Sequence, residues 1–303
     1  MNFHGCRACI VVCFLLVTWP AKAAEPALEL PAGITVEQPC PDPALKKIVF
    51  IAGSNFFKAG QHDYVGGSAV LIGMVRQTSG AFPLLALDWP QKPETLAEAK
   101  AVVFYFDGGD KHALLDADKL QQVRQLADAG AGIVSLHQGA DIPKSSGETL
   151  RALLGAAFEK DYSRRAHWTA EFKTFPDHPI CRGVEPFEID DGWLYRLRFV
   201  DQMRGIAPLL RTTSPKPNSG QESEQDTIVS WAFKRPGGGR SFTFTGAHLH
   251  ESLGQEGYRR FLTNGILWTA GFEIPSNGAP VELAANRLDA YLTPPPASAA
   301  ATK

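Results

Sequence analysis

A marked excess of charge of either sign is missing from this chain. Its 303 residues carry 30 Lys and Arg against 32 Asp and Glu, a net charge of −2. The basic stripe with which a protein tracks a nucleic-acid backbone is therefore absent, as is an acidic block that would act as a solvating tail. Long hydrophobic runs are equally scarce. The one run, Ala8 to Trp19, is shorter than the about 20 residues of a spanning helix, and no other segment is long and apolar enough to cross a bilayer. Cysteine is nearly absent from the body of the chain. Of five, Cys6, Cys9 and Cys13 fall in the first stretch, and Cys40 and Cys181 follow in surroundings that suit no nucleophile.

What the N-terminus does contain is an export signal. Arg7 supplies a positive start, the apolar run follows, and Ala21-Lys22-Ala23 forms a small-x-small cleavage site before Ala24. Residues 1–23 thus read as a signal peptide, and the mature protein as periplasmic or secreted with no membrane anchor after cleavage. In an oxidising compartment Cys40 and Cys181 either pair or remain separate thiols; the sequence leaves both open.

Beyond a lead over residues 24–45, hydrophobic patterning predicts an α/β domain over 46–274. Lys46 to Ala52 is a strand ended by Gly53, and Val65 to Gln77 has helical apolar spacing. Leu84 to Leu87 and the continuous apolar run Ala101 to Phe106 are strands of the kind buried on both faces of a parallel sheet. Asp116 to Ala129 is an amphipathic helix and Ile133 to Leu136 the next strand. This alternation predicts a mostly parallel central sheet flanked by helices with right-handed crossovers. The second half reads as extended pieces, Trp168 to Phe175, Glu188 to Phe199 and Ile206 to Thr212. A β-hairpin follows, in which Ile228 to Lys234 and Arg240 to Thr245 flank Arg235-Pro236-Gly237-Gly238-Gly239. A helix over Gln255 to Gly271 closes the core. The tail, 275–303, carries a short helix-like piece around Leu283 to Tyr291 and ends in Pro294-Pro295-Pro296; it is expected to be partly disordered.

In open α/β sheets ligands bind beyond the carboxyl ends of the strands. Four strand exits here deliver histidine: His62 after the first strand, His112 after Asp107-Gly108-Gly109, His137-Gln138 after the Ile133 strand, and His248 with His250 after the Arg240 strand. Seven histidines lie beyond residue 23, and five sit at these exits. His137 occupies a strand–turn–helix elbow where class I glutamine amidotransferases hold a cysteine nucleophile. Imidazole is a base, an acid or a metal ligand, not a thiolate substitute in amide transfer, so glutaminase chemistry is excluded. By contrast Arg164-Arg165 reads as a solvated pair, and His167, beside Trp168, as an exposed strand residue.

The segments KKIVFIAG, GQHDY, VVFYFDGG, GAGIVSLHQG, WTAEFKTFPDHPICRGVEPF, WAFKRPGGGRSFTFTGAHLH and FLTNGILWTAG resemble the ThuA-like, trehalose-utilisation family. The resemblance runs from about Lys46 to Ile274 and is carried most specifically by Asp177-His178-Pro179-Ile180, Arg182-Gly183 and the Asn-Gly-Ile helix. It implies a flavodoxin-like, class I glutamine amidotransferase-like fold and a link to catabolism of disaccharides or their keto derivatives. The chain departs from the family pattern at three places. Phe57 and Tyr64 stand where relatives carry histidines flanking His62; Gly192 follows Asp191 where an acidic motif has glutamate; and Gly246-Ala247-His248 replaces Gly-Gly-His.

Two functions compete on these residues. In one, an enzyme acts on a small sugar substrate with His137, His62, His248 and Asp191 as catalytic groups, and Asp107, His112, Gln138, Trp193 and His250 contact the substrate. His62, His137 and His248 would either hold a divalent metal such as zinc, which in catalysis typically takes three protein ligands and an open position, or share acid–base work. Hydrolysis, elimination and keto-sugar isomerisation all fit. In the other, a relative that has lost chemistry binds a sugar or a partner without turning it over.

Overall fold

The computed structural model describes Met1 and residues 30–55, 57–215, 225–284 and 287–293. The expected signal segment after Met1 and the proline-rich end, 294–303, lie outside them. Among the described residues no helix is long and apolar enough to cross a membrane.

The first half is a βα alternation: β1 (Lys46–Ala52), α1 (Tyr64–Val75), β2 (Ala81–Leu87), the short α2 (Pro93–Leu96), β3 (Ala101–Tyr105), α3 (Ala117–Asp128), β4 (Gly132–Leu136) and α4 (Gly147–Leu154). Short β5 (Ala156–Ala157) leads to a long antiparallel arm, β6 (Arg164–Phe172) and β7 (Phe187–Tyr195), and then β8 (Arg198–Phe199), which pairs with β5. β9 (Ile206–Ser214), β10 (Gln225–Lys234), β11 (Arg240–Phe244), α5 (Glu256–Thr269) and α6 (Arg287–Ala290) complete the order.

The central sheet has seven strands in the order β2-β1-β3-β4-β11-β10-β9. Its first five are parallel, in the flavodoxin-like order, and β10 and β9 extend it antiparallel. The continuous apolar strands earn their place by filling two cores at once. Along β1, Ile48, Phe50 and Ala52 enter the core beneath α1 and α5, while Val49 and Ile51 enter the opposite core with residues of α3 and α4. Period-two alternation explains the split, and each fully buried Ile or Phe stabilises by about 1.5–3 kcal/mol.

Helix α4 is absent from the sequence expectation, because Gly147 and the preceding polar residues mask its start; Leu150, Leu153 and Leu154 nevertheless form one buried face. The arm begins at Arg164, four residues before the expected strand, since its first half alternates polar side chains on both faces.

The flanking segments are tied down. In the lead, the Glu37 carboxylate accepts from Gln91 N, Lys92 N and Thr95 Oγ1 at 2.6–2.9 Å and so caps α2. Beyond Ile274, Ala279 and Val281 are buried. The Asn264 amide donates to the Ile180 and Arg182 carbonyls and accepts from Ala279 N, which gives the Asn-Gly-Ile motif a role in packing. Cys40 and Cys181 are separate thiols, and burial pushes Cys181 up to about 12.

Candidate active site

Three loops at the carboxyl edge of the parallel strands bring His62, His137 and His248 together. One ring nitrogen from each lies within 4.8 Å of the other two. His137 and His62 meet Nε2 to Nε2 at 3.2 Å, and the ring centroids of the three are 4.3–5.2 Å apart.

Backbone strain and backbone pairing put them there. His137 follows β4 directly and takes φ +50°; His62 takes φ +48° and Ala247, beside His248, φ +70°. Left-handed conformations cost such residues of order 1–3 kcal/mol each and persist only where the surroundings impose them. For His62 and Ala247 the constraint is a ladder between two loops: His62 N donates to His248 O and His250 N to Gly60 O, both at 2.9 Å, around the Gln61–Leu249 bridge. From the other side Tyr105 Oη donates to Ala247 O.

Asp191 organises the same loop. It is fully buried on β7, and its carboxylate accepts from Ala247 N, His248 N and its neighbour Gly192 N at 2.8 Å and from Leu249 N at 3.3 Å. Burial pushes its pKa up to about 7, and these four N–H donors pull the other way. Expected as a catalytic acid, Asp191 faces backbone amides and positions His248.

The electrostatics favour neutral imidazoles. Burial lowers the pKa of His62, against the pull of Asp107; it lowers His137 well below the ordinary value, helped by the two neighbouring histidines; and it lowers His248 to about 4. The network also fixes a tautomer: His137 Nδ1 donates to Thr245 O at 3.2 Å, which leaves Nε2 as a lone pair facing His62. His62 Nδ1 is buried with no partner among the described residues.

In this donor set the His62–His137 pair already has the spacing of two ligands on one metal, and His248 stands within 4.8 Å of both. Two histidines on one tetrahedral zinc, at about 2.0–2.1 Å each, hold their nitrogens about 3.3 Å apart, close to the 3.2 Å seen. The Nδ1–H···O=C bond of His137 is the outer contact that orients ligating imidazoles. The cluster opens on a cleft of about 170 Å³ whose other walls are Gln138, Arg165, Ala166, His167, Gly192, Trp193 and Leu194.

The remaining expected site residues divide. Gln138 lines the cleft. Trp193 does too, but it is 1% exposed and its indole N–H donates to Trp168 O, so it forms wall rather than a stacking platform. Asp107 lies behind the cluster, accepting from Asn55 Nδ2 and from Tyr64 Oη, whose ring stacks on His62. Tyr64 thereby supports His62. The structure does not bring His112 and His250 into the cleft. His112 uses both nitrogens locally, accepting from Leu114 N and donating to Gly139 O. His250 lies 3.0 Å from the Asp63 carboxylate and donates to Leu288 O, so it joins α1 to the C-terminal segment.

Two cleft residues escape a reading of the sequence alone. In the arm His167 pairs with Gly192, and its ring centroid lies 4.7 Å from that of His248. A Cβ at residue 192 would come within 2.9 Å of His167 and 3.0 Å of His248, so Gly192 makes room for both rings. Arg165, read as solvated, stands two residues before His167 on the same strand face.

The chain matches the ThuA family, described as trehalose utilisation, over residues 55–269. It belongs to that family. Among solved structures, two ThuA-like proteins share its fold. One, from Parabacteroides merdae, is 15% identical over 81% of this chain and 99% of its own, with a TM-score of 0.55. The other, from Bacteroides uniformis, is 15% identical over 80% and 98%, with a TM-score of 0.52. No curated protein is matched by the sequence. In this ThuA-family chain the three histidines, the strained turns and Asp191 all fall within the matched span.

Proposed function

We propose that this protein is an enzyme acting on a sugar derivative at a divalent metal, of which zinc is the best fit, held by His62, His137 and His248. The observation that supports it is the convergence of three neutral imidazoles, one with its tautomer fixed by Thr245 O, on a point that opens to a cleft. A bound metal would supply Lewis acidity toward a carbonyl or hydroxyl oxygen of the substrate. The chain's own residues do the rest. The ladder between the 60–62 and 248–250 loops holds the ligand geometry, Asp191 fixes His248, and Arg165, Gln138 and His167 meet the substrate on the open side. The sugar class follows the family's description, and disaccharides and their keto derivatives are the substrates to try first. The leader read over residues 1–23 supports export to the periplasm or beyond as part of the same proposal.

Metal analysis of the purified protein, followed by a turnover screen against disaccharides and their 3-keto forms, tests it. Metal near one equivalent per chain with turnover supports the proposal. Metal with sugar binding and no turnover favours the non-catalytic relative.

A further inference from the structure

The cleft wall opposite the metal ligands has an unusual balance of hydrogen-bonding groups. Among the residues that line it there is no aspartate or glutamate. Gln138 spends its side-chain oxygen on Gly108 N at 3.2 Å, so what it has left to offer is its NH2. Arg165 has only donors. A neutral sugar presents hydroxyls that both donate and accept, and it needs acceptors from the protein; the side chains of this wall supply the donors of Arg165 and Gln138 against a single acceptor nitrogen on His167.

Arg165 is also built in rather than free on the surface. Its guanidinium is bonded through Nη2 to the Asp141 carboxylate and lies over the Phe158 ring, 4.8 Å from the centroid. The Asp141 side chain is 4% exposed and that of Arg165 51%. A buried carboxylate is costly to keep charged, and burial does raise the pKa of Asp141, against the pull of Arg165. Asp141 thus anchors the guanidinium at the cleft mouth and leaves the rest of its fork open. A guanidinium fork matches a carboxylate in two parallel hydrogen bonds.

We propose that the cleft takes a sugar acid, a polyhydroxy compound bearing a carboxylate, and that Arg165 with the Gln138 amide receives that carboxylate beside the histidine cluster. The inference rests on the reading of the site as a sugar site; it does not need the metal. A phosphorylated sugar is the competing anion, but a single guanidinium that already carries Asp141 on one arm, among neutral imidazoles, suits one negative charge better than a phosphate dianion.

Isothermal titration of the full chain tests it, with metal supplied and again after chelation, using D-gluconate, D-glucose and D-glucose 6-phosphate as probes. Gluconate is expected to bind at least tenfold tighter than either other probe. The double variant Arg165→Gln/Asp141→Asn removes the pair without stranding a buried charge, and it should abolish that preference while its thermal unfolding stays near wild type. Arg165→Lys should restore part of it. Gluconate binding no tighter than glucose, including no binding of either, overturns the proposal, as does tighter binding of the phosphate or a preference that survives in the double variant. Should the double variant fail to fold, Arg165→Lys decides: full gluconate affinity there overturns the fork, and a several-fold loss upholds it. An Arg165-dependent preference that persists without metal upholds this inference even if the metal reading fails.

Discussion

Asp191 reaches His248 through the backbone: its Oδ1 accepts from His248 N at 2.8 Å while its Oδ2 accepts from Ala247 N at the same distance. The carboxylate thus holds the turn in which a non-glycine residue, Ala247, sits at φ +70°. Asparagine at this position would set an NH2 against an N–H donor. Asp191→Asn should therefore destabilise the fold by about 2–4 kcal/mol and weaken metal binding by about 10–100-fold. Urea denaturation and a competitive chelator titration read the two effects. Unchanged metal affinity in a folded variant would show that the turn stands without Asp191.

His112 gives the opposite pattern. Both its nitrogens serve the local fold, and it lies outside the cleft lining. His112→Ala should cost about 2–4 kcal/mol of stability and leave metal content at the wild-type level in the folded fraction. Loss of metal at normal stability would place it in the site after all.

Gly192→Ala should act on the site and not on the core. Its Cβ would press on His167 and His248, and one ring must move. Metal affinity should drop several-fold while the unfolding midpoint changes little, because the added methyl enters the cleft and not packed interior. An unchanged affinity would mean that the arm gives way instead.

Acid should weaken the fold. Burial lowers His112, His178 and His248 to about 4, and it lowers His62 and His137 as well. A histidine depressed in the folded state is protonated first in the unfolded chain, so its contribution is present above the unfolded value of about 6.5 and is lost as pH falls toward 4. Asp191 has the opposite sign: raised to about 7, its contribution is full below its unfolded value of 3.8 and lost as pH rises through 7. Asp141, also raised by burial, acts in the same sense as Asp191, and five histidines outweigh two aspartates. Stability should drop by about 2 kcal/mol or more from about pH 7.5 to about pH 5, read from urea midpoints on metal-free protein. A flat or rising profile would contradict neutral burial of these rings.

Much of this was legible in the chain. Strands such as Ala101–Tyr105, buried throughout, leave an unbroken apolar run, and their exits are fixed by the order of a parallel sheet. His62, His137 and His248 could be grouped on that ground alone, since topology carries all three strand ends to one edge. The same rule does not distinguish His112 and His250, which leave equivalent exits, because whether an imidazole turns to the cleft or back to its own loop depends on partners such as Gly139 O and Asp63. Arg165 and His167 were hidden for another reason. They reach the cleft on an arm whose register with Gly192 is set by long-range pairing, and locally they look like any solvated strand. Asp191 was found, but its role was not: a carboxylate near histidines suggests proton transfer until its acceptors are seen to face amides.

His137 and His62 meet at 3.2 Å, the spacing that the proposed metal would bridge. Cobalt(II) titration of the metal-free protein, followed by its visible absorption, measures this in one experiment. The account predicts saturation near one equivalent with the bands of a four-coordinate nitrogen site, and their loss in His137→Ala with the fold retained. A wild-type protein that takes up neither cobalt nor zinc, or a His137→Ala variant that binds cobalt with the same spectrum, would contradict it.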